Sequence, residues 1–347
     1  MIIKLTQAHV IGAIIAFLLG IFIVPIVIYF SEKANLVDIP NARKIHTGKI
    51  SRLGGVAIWL SLMLTFVLLV LLSLDYPKGV GLSGIIVGGS LMFLLGLIDD
   101  IYCLDAKFKL FIQIAIASIL ILLGVRFENL YYFGNSIDLG FWSYPISLLW
   151  IVGISNAMNF IDGIDGLAGS ITSIACGAIA IISLVLTPPS TITALIALIL
   201  LGSMLSFLTY NYNPAKVFMG DSGALFSGFM LATLSITGIS KNGGPYMYLP
   251  LLILALPMLD VAFSSIRRML KGTSPFIADS EHIHHQLLHI GYSQDMTVII
   301  LASISLIFSI VAIALAGSLN KYFLYIPIFV AVLILLSIVS KSIKKKN

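Results

Sequence analysis

Long apolar runs alternate with short polar connectors along almost the whole chain, near 9–30, 53–74, 83–98, 108–125, 145–158, 167–187, 190–210, 223–239, 246–264, 294–316 and 322–340. A helix crosses a bilayer with about 20 apolar residues, and most of these runs approach that length. The pattern therefore predicts an all-α integral membrane protein of about eleven transmembrane helices. No fixed-period repeat or low-complexity linker divides it, so residues 1–347 read as a single polytopic domain. The first run follows MIIKLTQ, with one lysine and no small-residue cleavage pattern, and is expected to stay as a helix.

Composition agrees: the chain is 59% apolar and 10% charged, against roughly 25% charged in a soluble domain. Two cysteines, Cys103 and Cys176, build no disulfide framework, which leaves cohesion to packing and lipid. Fifteen of the twenty Lys and Arg residues fall in 31–52, 99–109, 211–222, 265–293 and 341–347, and the others are Lys4, Lys78, Arg126, Lys241 and Lys321. This asymmetry assigns the first group to the cytoplasm. The terminal KSIKKKN then reads as a topology anchor at an anionic lipid surface, and no nucleic-acid partner is expected.

Candidate chemistry gathers on that same side. Acids occur at GLIDDIYCLD (Asp99, Asp100, Asp105), NAMNFIDGIDGLAG (Asp162, Asp165), VFMGDSGAL (Asp221), PMLDVAF (Asp260), and Asp279 and Glu281. An ionised Asp deep in a span costs roughly 2.5–3.5 kcal/mol, so carboxylates crowding one membrane face call for a reason. Asp99 and Asp100 close an apolar run, where the helix C-terminus is already negative, so a cation or proton should lie nearby. For Asp221, and for Asn156, Asn159, Asp162 and Asp165, helix capping is the competing explanation. Arg43, Lys44, Lys49 and Arg52 in NARKIHTGKISRLGG serve either topology or phosphate binding beside Gly48, Gly54 and Gly55. His282, His284 and His285 in SEHIHHQL form either a zinc site or, with so many carboxylates and no cysteine partner, phosphate-binding imidazoles beside a hard cation. Together these groups suit phosphoryl transfer from a soluble nucleotide to a membrane-bound acceptor. A cation-coupled secondary transporter is the alternative of a different class, but such sites lie near the bilayer midplane.

With these motifs in hand, the chain resembles the polyprenyl-phosphate N-acetylhexosamine-1-phosphate transferase superfamily from about Asn35 to Gly291. NARKIHTGKISRLGG, LIDD, NAMNFIDGIDGLAG, VFMGDSG and HIHHQL stand in the family's order. HIHH is similar to the branch that uses UDP-N-acetylglucosamine and undecaprenyl phosphate. The phospho-N-acetylmuramoyl-pentapeptide transferase branch, the alternative, carries adjacent histidines where Ile283 intervenes here. Ser51 and Ser280 depart from residues common in relatives. The resemblance implies Asp99 and Asp100 as catalytic groups at the lipid phosphate, and Asp221 with Asn159 at Mg²⁺, which Mn²⁺ can replace. It places Asn156, Asp162, Asp165, His282, His284, His285, Arg43, Lys49 and Lys109 around the nucleotide and its phosphates. The products would be UMP and a lipid-linked sugar that starts a cell-surface glycan, made at the cytoplasmic face of a bacterial plasma (inner) membrane. The small-residue runs at 84–89 and 88–90 permit close helix contact, including that of a homodimer.

Overall fold

The computed structural model describes residues 5–38, 49–74, 76–77, 80–132, 135–239, 246–270 and 282–317. Helices dominate: α1 (Gln7–Lys33), α2 (Gly54–Leu71), α3 (Val80–Tyr102), α4 (Ala106–Leu122), α5 (Ser143–Ile161), α6 (Leu167–Val185), α7 (Thr191–Asn211), α8 (Gly220–Gly238), α9 (Tyr248–Ile253), α10 (Ala255–Leu270), α11 (Ile283–Ile290) and α12 (Gln294–Ala316). Two small antiparallel hairpins join them, β1 (Val37–Asp38) with β2 (Ile50–Ser51), and β3 (Asn129–Tyr132) with β4 (Asn135–Asp138).

Seven helices among the described residues, α1, α2, α3, α5, α6, α7 and α12, are long and apolar enough to cross a membrane. That confirms an all-α membrane protein and falls short of the expected eleven for identifiable reasons. The run 108–125 folds into the 17 residues of α4, whose start is fixed by Asp105 accepting hydrogen bonds from the Lys107 and Phe108 amides. The run 246–264 breaks at Leu254, between α9 and α10. Pro257 has no N–H to offer the Ile253 carbonyl four residues back, and its ring crowds that turn. The run 322–340 lies outside the described residues, as do Arg43, Asp279, Ser280 and Glu281.

The remaining helix, α8, is the hub. Residues Ser222–Ile236 are buried without interruption, and α8 packs against α2, α3, α5, α6 and α7. Its Gly, Ser and Ala content lowers its hydropathy and lets neighbouring backbones come close, which is how helices cohere where lipid is as apolar as leucine. Outside the hub the pattern inverts. On α1, Ile14, Leu18, Phe22 and Ile26 are exposed at every fourth position while Gly12, Ala16 and Gly20 are buried toward α7. In water that stripe would be a liability; in lipid it matches its solvent.

The small residues at 84–90 serve the same inward packing. Side chains of Phe229 and of Met230 and Phe226 fill the positions that a Cβ would take at Gly88 and Gly89. Gly88 and Gly89 thus seat α3 on α8 within the chain, while Gly84 faces Leu120 of α4. Nearer the polar end, the Asp221–Ser222 backbone fills the Cβ position of Gly96, one turn before Asp99. Gly96→Ala should therefore push α3 off the first turn of α8 and cost about 1–3 kcal/mol. Gly153→Ala, where a Cβ meets nothing within 4 Å, should leave stability unchanged or raise it. Thermal unfolding of the purified variants in detergent reads the difference; equal midpoints would show that the α3–α8 contact tolerates a side chain.

Candidate active site

Helix polarity brings the polar ends of α1, α3, α5 and α7, and the starts of α2, α4, α6, α8 and α12, to one side of the bundle. Three connectors there are sewn together by backbone and amide hydrogen bonds. Between α5 and α6, Asp165 accepts a hydrogen bond from the Ala215 amide (3.0 Å), and Asn211 accepts one from Gly166 (3.0 Å) while donating to the Val217 carbonyl (2.8 Å). The 212–219 connector is held in turn by β2 and the start of α2. Phe218 N–H donates to Ser51 (2.7 Å), and Gly54 and Gly55 donate to Phe218 and Met219 (2.9 Å each). Arg52, on this seam, forms an ion pair with the buried Asp38 of β1.

At the inner end of this cage the charged groups meet. Lys109, on the first turns of α4, donates to Asp99 Oδ2 at 2.6 Å and to Asp221 Oδ2 at 2.5 Å, so one ammonium bridges two carboxylates from different helices. Asn159 Nδ2 reaches the same Asp221 oxygen at 3.3 Å, and Asp99 also accepts from the Leu104 amide at 2.7 Å. Asp100 does something different. Its two oxygens accept from the Asp221 and Ser222 amides, at 2.8 and 3.0 Å. No side chain within α8 caps its start; a carboxylate from α3 satisfies those first amides and faces the positive end of the helix dipole. Gly220 makes this possible. Its φ of +69° turns the chain into α8, and a Cβ there would collide with the Arg52 carbonyl and the Asp100 carboxylate.

A cleft of about 980 Å³ opens from this centre. Asn159, Asp162, Asp165 and Asp221 line it on one side, and Lys49, Arg52, Lys216 and His285 bring basic or imidazole groups. Asp162, which closes α5, is half-buried by surface but deep among protein atoms. Burial and then the nearby carboxylates of Asp221, Asp100 and Asp165 push its carboxyl up to about 8. The site thus holds more negative charge than Lys109 alone balances, and its donor set of carboxylate and amide oxygens suits a hard cation. Among the described residues no three His, Cys, Asp or Glu side chains close into a metal cage.

The histidines form a stacked column beside the cleft. Asp260, on α10, holds His282 Nδ1 at 2.8 Å through one oxygen and accepts the Ile283 amide at 2.7 Å through the other, so it both orients the ring and caps α11. The Phe160, His282 and His284 rings follow face to face, 5.5 and 5.9 Å apart, and His285 leans on His284 at 4.2 Å. His284 is 1% exposed, and its Nε2 has no hydrogen-bond partner. The ring fills the space where Gly163 would carry a Cβ, in the loop that bears Asp162. Burial first, then the neighbouring imidazole of His285, pushes His284 down to about 3, so it is neutral at physiological pH.

The structure thus brings Asp99, Asp100, Lys109, Asn159, Asp162, Asp165, Asp221, Lys49 and His285 to one center and its cleft. It does not bring Asn156 there: that amide is locked to Gln113 of α4, donating at 2.6 Å, and to the Val152 carbonyl of its own helix. Lys109, expected at phosphate, is bonded to carboxylates. Sequence reasoning gave no role to Asn211 or Gln113, counted Asp260 only among the acids of one membrane face, and left Arg52 between topology and phosphate binding, where the structure pairs it with Asp38. A buried Gln in an apolar run and an Asp after PML were the available signals for two of them.

Comparison with known proteins bears on this arrangement. Residues 82–239 match the family described as glycosyl transferase family 4. The chain is 36% identical over 312 residues to a probable undecaprenyl-phosphate N-acetylglucosaminyl 1-phosphate transferase of Bacillus subtilis, covering 89% of this chain and 85% of the relative. It is 33% identical over 301 residues to a decaprenyl-phosphate N-acetylglucosaminephosphotransferase of Mycobacterium tuberculosis, covering 78% and 73%. To the undecaprenyl-phosphate alpha-N-acetylglucosaminyl 1-phosphate transferase of Escherichia coli it is 30% identical over 315 residues, covering 88% and 82%. With such likeness along most of its length, and with the motif acids gathered at one center, the chain belongs to the polyprenyl-phosphate N-acetylhexosamine-1-phosphate transferase superfamily.

Proposed function

We propose that the protein transfers N-acetylglucosamine 1-phosphate from UDP-N-acetylglucosamine to undecaprenyl phosphate, releasing UMP, at the cytoplasmic face of a bacterial plasma membrane. The observation that carries this reading is the Lys109 ammonium held between Asp99 and Asp221, with Asp221 itself lining a cleft that has a basic rim. A cation-binding floor beneath anion-binding walls is what a pyrophosphate bridged to a divalent metal requires. The sugar and the lipid follow from the relatives' names.

The residues fit Mg²⁺, or Mn²⁺ in its place. The ammonium is a stand-in cation held by carboxylate oxygens of Asp99 and Asp221, with the Asn159 amide bonded to the same Asp221 oxygen. Mg²⁺ commonly takes one or two carboxylates and leaves its other positions to water and substrate phosphate, so a closed protein cage is not needed. Asp221, Asn159 and Asp99 would hold it, and when bound it neutralises charge on the pyrophosphate. In this reading an oxygen of the lipid phosphate attacks the phosphorus attached to the sugar. The new P–O bond forms as the bond to the bridging oxygen breaks, and UMP leaves with that electron pair. Asp100 serves as a positioning residue, since both its oxygens hold the α8 amides and thereby aim Asp221. Lys49, Arg52 and His285, on the cleft wall, supply contacts for phosphate or nucleotide.

Four outcomes are expected. UMP release from the UDP-sugar by purified protein should require polyprenyl phosphate. In Asp221→Asn the rate should fall about 10²-fold and half-maximal Mg²⁺ should rise roughly tenfold or more; an unchanged magnesium curve would remove Asp221 from the metal. For orientation, a cysteine at the exposed Lys49 should resist an impermeant thiol reagent in intact cells, and one at the exposed Glu128 should react; the reverse pattern would place the cleft outside. The fourth outcome concerns His284. Its folded-state pKa lies below the unfolded 6.5, so the unfolded chain binds the proton more readily as pH falls below 6.5. Stability should be complete above that value and decline toward pH 3, by up to about 1.4 kcal/mol per pH unit from this ring. Thermal midpoints measured between pH 7.5 and 5 should show a shallower acid slope in His284→Asn than in the parent; identical slopes would mean that the ring is not buried neutral.

A further inference from the structure

Lys109 occupies the place between Asp99 and Asp221 that a metal would need. Its nitrogen lies 2.5–2.6 Å from one oxygen of each carboxylate, and the Asp221 oxygen it engages is also the one that Asn159 reaches. An ammonium and a divalent cation cannot share those oxygens, because like charges at that separation repel strongly in a partly buried site. The lysine can leave without disturbing the fold. The start of α4 is fixed independently by the Asp105 cap, while the four-carbon stem of lysine lets its charge travel several ångströms by rotamer change.

We propose that Lys109 is a resident counter-ion. It holds the two carboxylates together in the metal-free protein, yields their oxygens on binding of a divalent cation, and turns its charge toward the phosphates in the cleft. This rests on the reading of the site as a divalent-cation and pyrophosphate site. It reconciles the phosphate contact expected for Lys109 from the sequence with the carboxylate contacts in the structure, since each belongs to a different stage of loading. Two consequences follow. In the absence of nucleotide, Lys109 competes with the cation and weakens its binding. Once displaced, Lys109 favours nucleotide, so cation and nucleotide bind cooperatively.

The experiment is Mn²⁺ binding to the purified full chain, followed by loss of the free-ion EPR signal, with and without UMP, for the parent, Lys109→Met, Lys109→Arg and Asp221→Asn. Without nucleotide, Lys109→Met should bind Mn²⁺ about tenfold more tightly than the parent, within the 5–150-fold range usual for coupled sites. Lys109→Arg, whose planar fork grips carboxylates in two-point fashion, should bind more weakly than the parent, and Asp221→Asn should lose binding. UMP should tighten Mn²⁺ binding in the parent and have a smaller effect in Lys109→Met. Equal affinities for Met, Lys and Arg, or a weaker Met variant, overturn the proposal. If Lys109→Met elutes aggregated in gel filtration, the order of the parent and Lys109→Arg decides instead. UMP release by the parent is scored separately: its failure alongside the Met, Lys, Arg order would sink the transferase reading and leave the counter-ion standing.

Discussion

The site depends on one electrostatic constraint, namely that α8 must begin at the polar end of the bundle with its first amides buried against α3. Those amides have no partner within their own helix and no capping side chain in their own sequence. Asp100 answers from α3, and in doing so ties the direction of α8 to the end of α3. Asp221, the first acidic residue of α8, then faces Asp99, one residue before Asp100 in the chain. The adjacent aspartates thus divide their work: one fixes a helix and its neighbour pairs with the Lys109 ammonium.

That division explains the cost the fold accepts. The five carboxylates of Asp99, Asp100, Asp162, Asp165 and Asp221 in and around the cleft, with a single lysine bonded between two of them, are tolerable only if positive charge arrives from elsewhere. The shift of Asp162 to about 8 has burial as its first cause and the neighbouring carboxylates as its second, so the crowding of acids adds to what desolvation already does. Around this centre, besides Asp165 and the Arg52–Asp38 pair, neutral hydrogen bonds hold the connectors, Asn211 to Gly166 and Val217, and Ser51 to Phe218, and fix geometry without adding charge.

Much of this was legible in the chain because charged residues in an apolar sequence stand out sharply. Asp99, Asp100, Asp162, Asp165 and Asp221 were visible for that reason, and their common side followed from the lysine and arginine asymmetry. Polar residues without charge were harder to place. Asn156 and Asn159 are three apart and share a face of α5, but Asn156 lies one turn deeper, where the nearest polar group is Gln113 and not the cleft. Which acid takes which partner was also hidden, because Asp100 and Asp99 differ only in the direction each points from the end of α3. The break at Leu254 was written in Pro257, yet hydropathy averaging across 246–264 erased it.

Helix α8 carries a consequence for how the chain is assembled. Partition into lipid rewards apolar side chains, and this segment, with its glycines, serines and a leading aspartate, gains little from partition alone. Its place is secured by contact with α2, α3, α5, α6 and α7, all of which leave the ribosome earlier. The chain order supplies the partners first and the hub afterwards, so the segment that organises the charged center enters the membrane as a guest of helices already there.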